Sequence, residues 1–230
     1  MRNVFSVLFL SVVACTPLED RVEIFDPEWC TDIEDKNDPD YKGAPRRTTA
    51  EYIKDGDTFD TVAEEETPAT WETIRLLGPD TPEKKGTEVR GVTLVEDRCY
   101  AQESTDFLIR ALQGRLLRLE FDASCNDDPN PQRARRLAYV FITVEVDDPL
   151  RAEIEAFGDL IPESDEAEDV LVNEWVLRAG MSDMWFQFEE KNPDARYSDR
   201  LFEARAQARL AELGGWKDCV DDSNVFPNVE

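Results

Sequence analysis

A small β-barrel with helices packed on it, a mixed α+β domain weighted towards β, is the fold the sequence predicts. Three observations carry the prediction. From about Ala50 the chain runs through short strand-like stretches, one helical stretch, further strands and then helices. The strand-like stretches are short, β-branched and aromatic, and turn-forming residues bound them. An apolar content of 41% with 10% aromatic residues, in a chain of 230, is enough to bury a core. The length suits one domain with extensions or two small ones, and no internal repeat is visible.

The elements follow in order. Met1-Arg2-Asn3 precedes an apolar run from Val4 to Ala14, too short to span a bilayer and suited to the hydrophobic region of a signal peptide. The run closes on Val12-Val13-Ala14-Cys15, which resembles a bacterial lipobox. Residues 1–14 are therefore expected to be removed and Cys15 lipidated, making the protein an exported lipoprotein of the bacterial cell envelope. Thr16, where some bacteria use an Asp retention signal, leans towards the outer membrane or cell surface. Residues 15–49 are acidic and turn-rich and read as a tether or N-terminal arm. Strand-like runs follow at 51–62 and 70–78, with the acidic turn EEETPAT between them as a hairpin loop. Phe107, Leu108, Ala111 and Leu112 recur at helical spacing between Tyr100 and the stop signal Gly114. RLLRLEFD from Arg115 and RRLAYVFITVEV from Arg135 are strands. An acidic stretch at about 147–170 reads as an insertion. A short helix then ends at Gly180, and a final helix covers 196–213, with Leu201, Ala204, Ala208 and Leu210 to Leu213 near one face. The domain so defined spans 50–217 and leaves 218–230 as a C-terminal tail.

The chain has no histidine, which excludes His-based acid–base chemistry, Ser-His and Cys-His triads, and His-ligated zinc or haem. With Cys15 set aside, Cys30, Cys99, Cys125 and Cys219 remain, an even number in an oxidising compartment. Three pairings are possible. The favoured one joins Cys30 to Cys219, clasping the terminal extensions, and Cys99 to Cys125.

Three segments place charge beside apolar strand residues: Asp55-Gly56-Asp57-Thr58, RLLGPDTPE from Arg75, and RARRLAYV from Arg133. Singly, each has a plain structural reading, as a turn, as an arginine paired with Glu72, or as a helix-start carboxylate at Glu83. With CYAQESTDFL from Cys99, LEFD from Leu119, LVNEWVLRAG from Leu171, YSDRLFEARAQAR from Tyr197 and Trp216, the ordered set resembles the staphylococcal nuclease (thermonuclease-like) family over roughly Glu51 to Trp216.

That resemblance implies an OB-type five-stranded barrel with about three packed helices, here carrying an acidic arm and an acidic insertion. It also implies calcium-dependent hydrolysis of phosphodiester bonds in DNA or RNA. By motif, Asp57 and Asp80 would be carboxylate ligands of calcium with the Thr81 carbonyl assisting, a hard-oxygen set that needs no histidine. Glu83 would be the general base, and Arg75 and Arg135 would hold the phosphate. Lys84, Lys85, Arg136, Phe186 and Phe188 are possible substrate contacts, the two phenylalanines standing where the family often has tyrosines. Other departures are Ala134 in place of the family's glycine, which could hand the role of Arg135 to Arg136, Pro131 where an Asp is common, Pro79 before Asp80, and Arg205 in place of an acid. No obligate protein partner is evident, and the expected state is a monomer. The alternative readings are a catalytically inactive nucleic-acid- or protein-binding barrel and a calcium-binding envelope protein.

The net charge of -26 at first argues against a nucleic-acid partner. Leu18 to Glu72 carries 18 acids against 6 bases and Asp147 to Val170 carries 10 against 1, whereas Thr73 to Val146 is nearly balanced at 12 against 11. The acidity thus lies mainly in the arm and the insertion, away from most of the expected site.

Overall fold

The structure, a computed structural model, describes residues 46–62, 71–89, 91–121, 135–158, 160–161, 165–185 and 196–219. Five strands close a barrel: β1 (Arg46–Ile53), β2 (Thr58–Val62), β3 (Trp71–Leu76), β7 (Leu116–Glu120) and β8 (Arg135–Val144). Short strands β4 (Pro79–Asp80), β5 (Glu88–Val89) and β6 (Val92–Thr93) lie between β3 and β7 in sequence, and β9 (Glu168–Leu171) and β10 (Asp183–Met184) follow β8. The order β3-β2-β1-β7-β8 is closed by parallel pairing of β3 with β8, from Thr73 opposite Arg135 to Leu76 opposite Ala138. β1 serves two neighbours. Its first half pairs with β7, and after a register shift between Ala50 and Tyr52 its second half pairs with β2, so a bulge bends one strand around the barrel. Mixed α+β content on a closed five-strand barrel is the expected OB-type architecture.

The sequence of β8 explains how helices attach. Ala138, Val140, Ile142 and Val144 fill the barrel core, while Leu137, Tyr139 and Phe141 face a second apolar cluster. A period-two strand buried on both faces thus serves two cores at once. The barrel core is capped by α1 (Ala101–Leu112), whose Phe107, Leu108, Ala111 and Leu112 are buried as the spacing predicts. It is completed by α3 (Val172–Arg178), whose Trp175 meets Phe107 edge-on at 4.6 Å between centroids. The second cluster is covered by α4 (Ser198–Leu210) through Leu201 and Ala204. Leu210 departs from the expected packed face and is 86% exposed. The helices α2 (Arg151–Glu155) and α5 (Gly215–Asp218) are single turns.

Three features differ from the sequence expectations. The barrel begins at Arg46, inside the segment read as the arm, because Thr48 is buried by a hydroxyl contact with Thr61 rather than by an apolar side chain. The acidic stretch after Asp147 is no appended loop: Leu150, Ile154, Leu160, Ile161 and Val170 lie in the barrel core cluster. Buried Arg151 and Arg178 pin it by donating to the carbonyls of Glu166 (2.9 Å) and Phe157 (3.1 Å). Finally, Cys99 is bonded to Cys219, so neither favoured disulfide pairing forms. The two cysteines lie 120 residues apart, and only the docking of α5 beside the start of α1 brings them together. Cys15, Cys30 and Cys125 lie outside the described residues.

Candidate active site

The turn between β1 and β2 is built by its own carboxylates. The backbone N–H of Asp57 donates to Asp55 Oδ1 at 3.2 Å, an Asx turn, and Lys54 N–H closes onto the Thr58 carbonyl at 2.9 Å. Gly56 is required by packing: a Cβ there would lie 2.6 Å from Ser104 Cβ on α1 and 2.9 Å from Thr81 Cγ2. The turn is therefore pressed against the helix and against the segment that follows β4.

Asp57 is almost wholly buried and fully engaged. Its Oδ1 accepts from the Thr58 hydroxyl (2.7 Å) and from Arg75 Nη1 (3.1 Å), and its Oδ2 accepts from the Thr81 N–H (2.9 Å) and hydroxyl (3.1 Å). Four donors occupy about the four lone-pair sites that a carboxylate has. Arg75, on β3, extends its other terminal nitrogen to Asp80 Oδ1. One guanidinium thus bridges two carboxylates that stand 23 positions apart in sequence. The structural reading in which Arg75 pairs with Glu72 does not hold, because Glu72 accepts from Arg46 and Arg136.

Asp80 is placed by a segment that arrives a hundred residues later. β4 pairs with β10, Asp80 opposite Asp183, and the Asp80 N–H donates to Ser182 Oγ at 2.8 Å. Asp183 is fully buried and holds Arg205, with Nη2 to Oδ2 at 3.2 Å, which accounts for an arginine in the last helix. Behind the site, buried Asn173 ties strands together. Its Nδ2 donates to the carbonyls of Leu77 (2.9 Å) and Ala138 (3.0 Å), and its Oδ1 accepts from the Val140 N–H (2.8 Å).

The electrostatics follow from burial and this crowding. For Asp57, burial alone would raise the carboxyl, but Arg75, the bonds from Thr81 and Thr58, and Arg135 outweigh it and hold it below the usual range. Burial, reinforced by Asp57, pushes Asp55 up to about 7. Asp80 is also raised, by burial first and then by Asp57 and Asp183, with Arg75 opposing. Burial works against the charge of Arg75, yet Asp57, Asp80, Asp55 and Glu83 together hold its proton more tightly than usual.

Glu83 is half-buried in the loop after β4, close enough for its charge to act on Arg75. It lies in no helix, so the helix-start reading fails. Arg135 opens β8 opposite Thr73, and its charge reaches Asp57. Arg136 is held by Glu72 at 3.0 Å and stacks over Phe121 at 4.2 Å, away from that cluster. Lys84 is half-buried and Lys85 exposed, both beside Glu83 in sequence. Phe186, Phe188, Pro131, Arg133 and Ala134 lie outside the described residues. Sequence reasoning missed Ser104, Ser182, Asp183 and the role of Asn173. The VNEW motif contained the last of these, but its three partners are distant in sequence.

For a calcium ion the donor chemistry fits. Asp57 and Asp80 are oxygen donors that already share one cation, the Arg75 guanidinium, and the adjacent Thr81 carbonyl adds a third hard oxygen. Among the described residues no group of three or more His, Cys, Asp or Glu side chains is arranged to hold a metal, so two carboxylates and a carbonyl would be the protein's share.

A closed OB-type barrel carrying a carboxylate–guanidinium centre between its first turn and β3 defines the class of scaffold. Comparison with family models then gives the family: the chain belongs to the staphylococcal nuclease homologue family, whose model matches residues 73–218. A search of curated proteins finds no match. Arg75, Asp80, Thr81, Glu83 and Arg135 fall within the matched segment. Asp57 lies upstream of it, and its place in the site rests on its contacts with Arg75 and Thr81.

Proposed function

We propose that the protein is a calcium-dependent nuclease that hydrolyses phosphodiester bonds of DNA or RNA, working as a monomer tethered to the cell envelope through Cys15. The observation that carries the reading is the guanidinium of Arg75 spanning Asp57 and Asp80, with Glu83 and Arg135 acting electrostatically on the same cluster. The tether rests on the apolar run closed by Cys15.

In this mechanism Arg75 and Arg135 bind non-bridging phosphate oxygens and offset the charge that builds up as the pentacoordinate state forms. Glu83 takes a proton from the attacking water, whose oxygen bonds to phosphorus as the P–O ester bond breaks and the leaving oxygen takes up a proton from solvent water. Asp57, Asp80 and the Thr81 carbonyl would hold a calcium ion, which would supply Lewis-acid charge to the phosphate and order the water. In the resting site each terminal nitrogen of Arg75 is on a carboxylate. A guanidinium has five N–H donors, so the two acids and the substrate would share this one.

The test is cleavage of single-stranded DNA and RNA by the full chain with calcium and with EDTA. Cleavage with calcium only is expected. Glu83→Gln should lower kcat by about 10²–10⁴-fold, the usual contribution of a general base, and leave KM little changed. No cleavage in calcium, or an unchanged kcat in Glu83→Gln, overturns the proposal. Binding that persists in EDTA without turnover would assign the inactive binding barrel instead.

A further inference from the structure

Glu83 stands at the foot of a hairpin that has little to hold it. Residues 84–97 turn back on themselves through β5 and β6, the Gly86 N–H donating to the Leu94 carbonyl and the Leu94 N–H to the Thr87 carbonyl, each at 2.9 Å. The hairpin surface is open to solvent: Val92 is 65% and Val95 80% exposed. An element with so few buried apolar contacts opens easily unless its base is fixed.

The base is fixed at three neighbouring points, and at the first the Lys85 N–H donates to Asp97 Oδ1 at 2.7 Å. The carbonyl of Glu83 accepts from the Arg98 N–H at 3.0 Å, joining the two ends of the hairpin. The next residue, Cys99, is bonded to Cys219. Cys219 in turn rests on a rigid seat. Gly214 and Gly180 approach so closely that a Cβ on Gly180 would lie 2.1 Å from the Leu213 carbonyl oxygen, and the Gly215 N–H donates to the Gly180 carbonyl at 2.9 Å. Cys99, Tyr100, Trp216 and Cys219 form a small apolar cluster separate from both main cores. Tyr100, in the left-handed region at φ 70°, makes the sharp entry into α1 that this cluster holds.

We propose that the Cys99–Cys219 disulfide is the positioning device for Glu83, fixing the Arg98 N–H that donates to the Glu83 carbonyl and so setting where the Glu83 carboxylate stands relative to Arg75. The proposal rests on the catalytic role of Glu83 given above. Cys99 and Cys219 are positioning residues and touch no reacting atom. The barrel core, filled from β8, α1 and α3, lies apart from the cluster that holds the bridge.

The test compares the full chain with Cys99→Ser/Cys219→Ser in two ways. Amide hydrogen exchange should quicken at least tenfold across residues 84–98 and stay unchanged across 136–144. Steady-state kinetics should show kcat lowered about tenfold to a hundredfold, the order expected when a catalytic group is displaced by up to an ångström, with KM within twofold. In a Glu83→Gln background, loss of the bridge should change the residual rate less than twofold, because the group it positions is already gone. Exchange that quickens equally throughout the barrel overturns the proposal, as does an equal kcat loss in both backgrounds. If circular dichroism shows the double variant unfolded, Arg98→Pro removes the N–H with both cysteines in place and should give the same kcat loss; an unchanged kcat there overturns the proposal. Wild-type protein that does not cleave, or that ignores Glu83→Gln, instead removes the proposed function itself.

Discussion

Gly56→Ala is the sharpest test of how the site is built. A methyl group at position 56 would lie 2.6 Å from Ser104 Cβ, 2.9 Å from Thr81 Cγ2 and 3.0 Å from Thr81 Cβ. Carbon–carbon contact is comfortable from about 3.5 Å, so one side must retreat by roughly 1 Å. Ser104 cannot retreat easily: it is fully buried, and its hydroxyl donates to the Met181 carbonyl at 2.6 Å. The Asp55–Asp57 turn and the Thr81 segment are therefore the parts that move, and they are the two parts joined by the Asp57–Thr81 bonds. Overpacking of this kind costs about 1–3 kcal/mol of stability. Displacing reacting groups by about 1 Å costs on the order of 10²-fold in rate. The expected result is a modest drop in Tm together with a hundredfold loss of kcat/KM for DNA cleavage and weaker calcium binding by calorimetry. Calcium affinity and kcat/KM both within twofold of wild type would refute the reasoning, because the turn would then not be held against Thr81 and α1 as described.

Three further outcomes follow from the same structure. Asn173→Ala removes three buried bonds to Leu77, Ala138 and Val140 and should destabilise the fold by about 2–5 kcal/mol in urea titrations, since a buried group that loses its partner costs about 1–3 kcal/mol. Arg115, with Nη2 to Oδ1 at 2.9 Å, holds the Asp148 carboxyl below its ordinary range, so the stability this pair supplies is present above the unfolded carboxyl's titration near 3.9 and is lost as pH falls through the lower folded value. Asp148→Asn, which keeps an acceptor for the Leu150 N–H, should cost about 1–2 kcal/mol at pH 7, with the difference from wild type closing below about pH 4 in thermal melts. For substrate binding at saturating calcium, a rise from low to moderate salt should leave affinity level or improve it, because the chain carries a net charge of -26; a steep fall in filter-binding affinity would contradict this.

Much of the site was legible because its residues are few, polar and fixed in order. Asp57, Arg75, Asp80, Thr81, Glu83 and Arg135 come from three short segments; the first four meet in direct contacts, and the other two act on the cluster through their charge. The supports were not legible, for a physical reason: each acts over a long stretch of chain. Gly56 reads locally as a turn glycine, yet its constraint comes from Ser104 on α1. Ser182 receives the Asp80 N–H across 102 residues, and spacing alone gives no sign of it. The disulfide is the same kind of case, since loop length does not reveal that α5 docks beside Cys99. In the acidic stretch, Leu150, Ile154, Leu160 and Ile161 belong to the core, but irregular spacing and surrounding acids conceal them. β1 was entered late because its first half is Arg and Thr, and a strand that buries hydroxyl pairs shows no apolar alternation.

The charge balance within the site bears on its need for a cation more directly than the charge of the whole chain. Asp57, Asp80, Asp55 and Glu83 all act on Arg75, and among the described residues Arg135 is a second cation whose charge reaches the cluster. Four carboxyls face two guanidiniums, and the crowding shows in Asp55, which keeps its proton to about pH 7, and in Asp80, whose carboxyl is raised as well. A phosphodiester brings a further negative charge, and a buried setting screens it poorly. The resting arrangement copes by spending Arg75 on both carboxylates, which leaves that guanidinium engaged when the substrate arrives. A divalent cation beside Asp57 and Asp80 would ease the crowding of carboxyls and leave more of Arg75 to the phosphate. Under the proposed function, the requirement for calcium is thus a consequence of crowding two acids around one buried arginine.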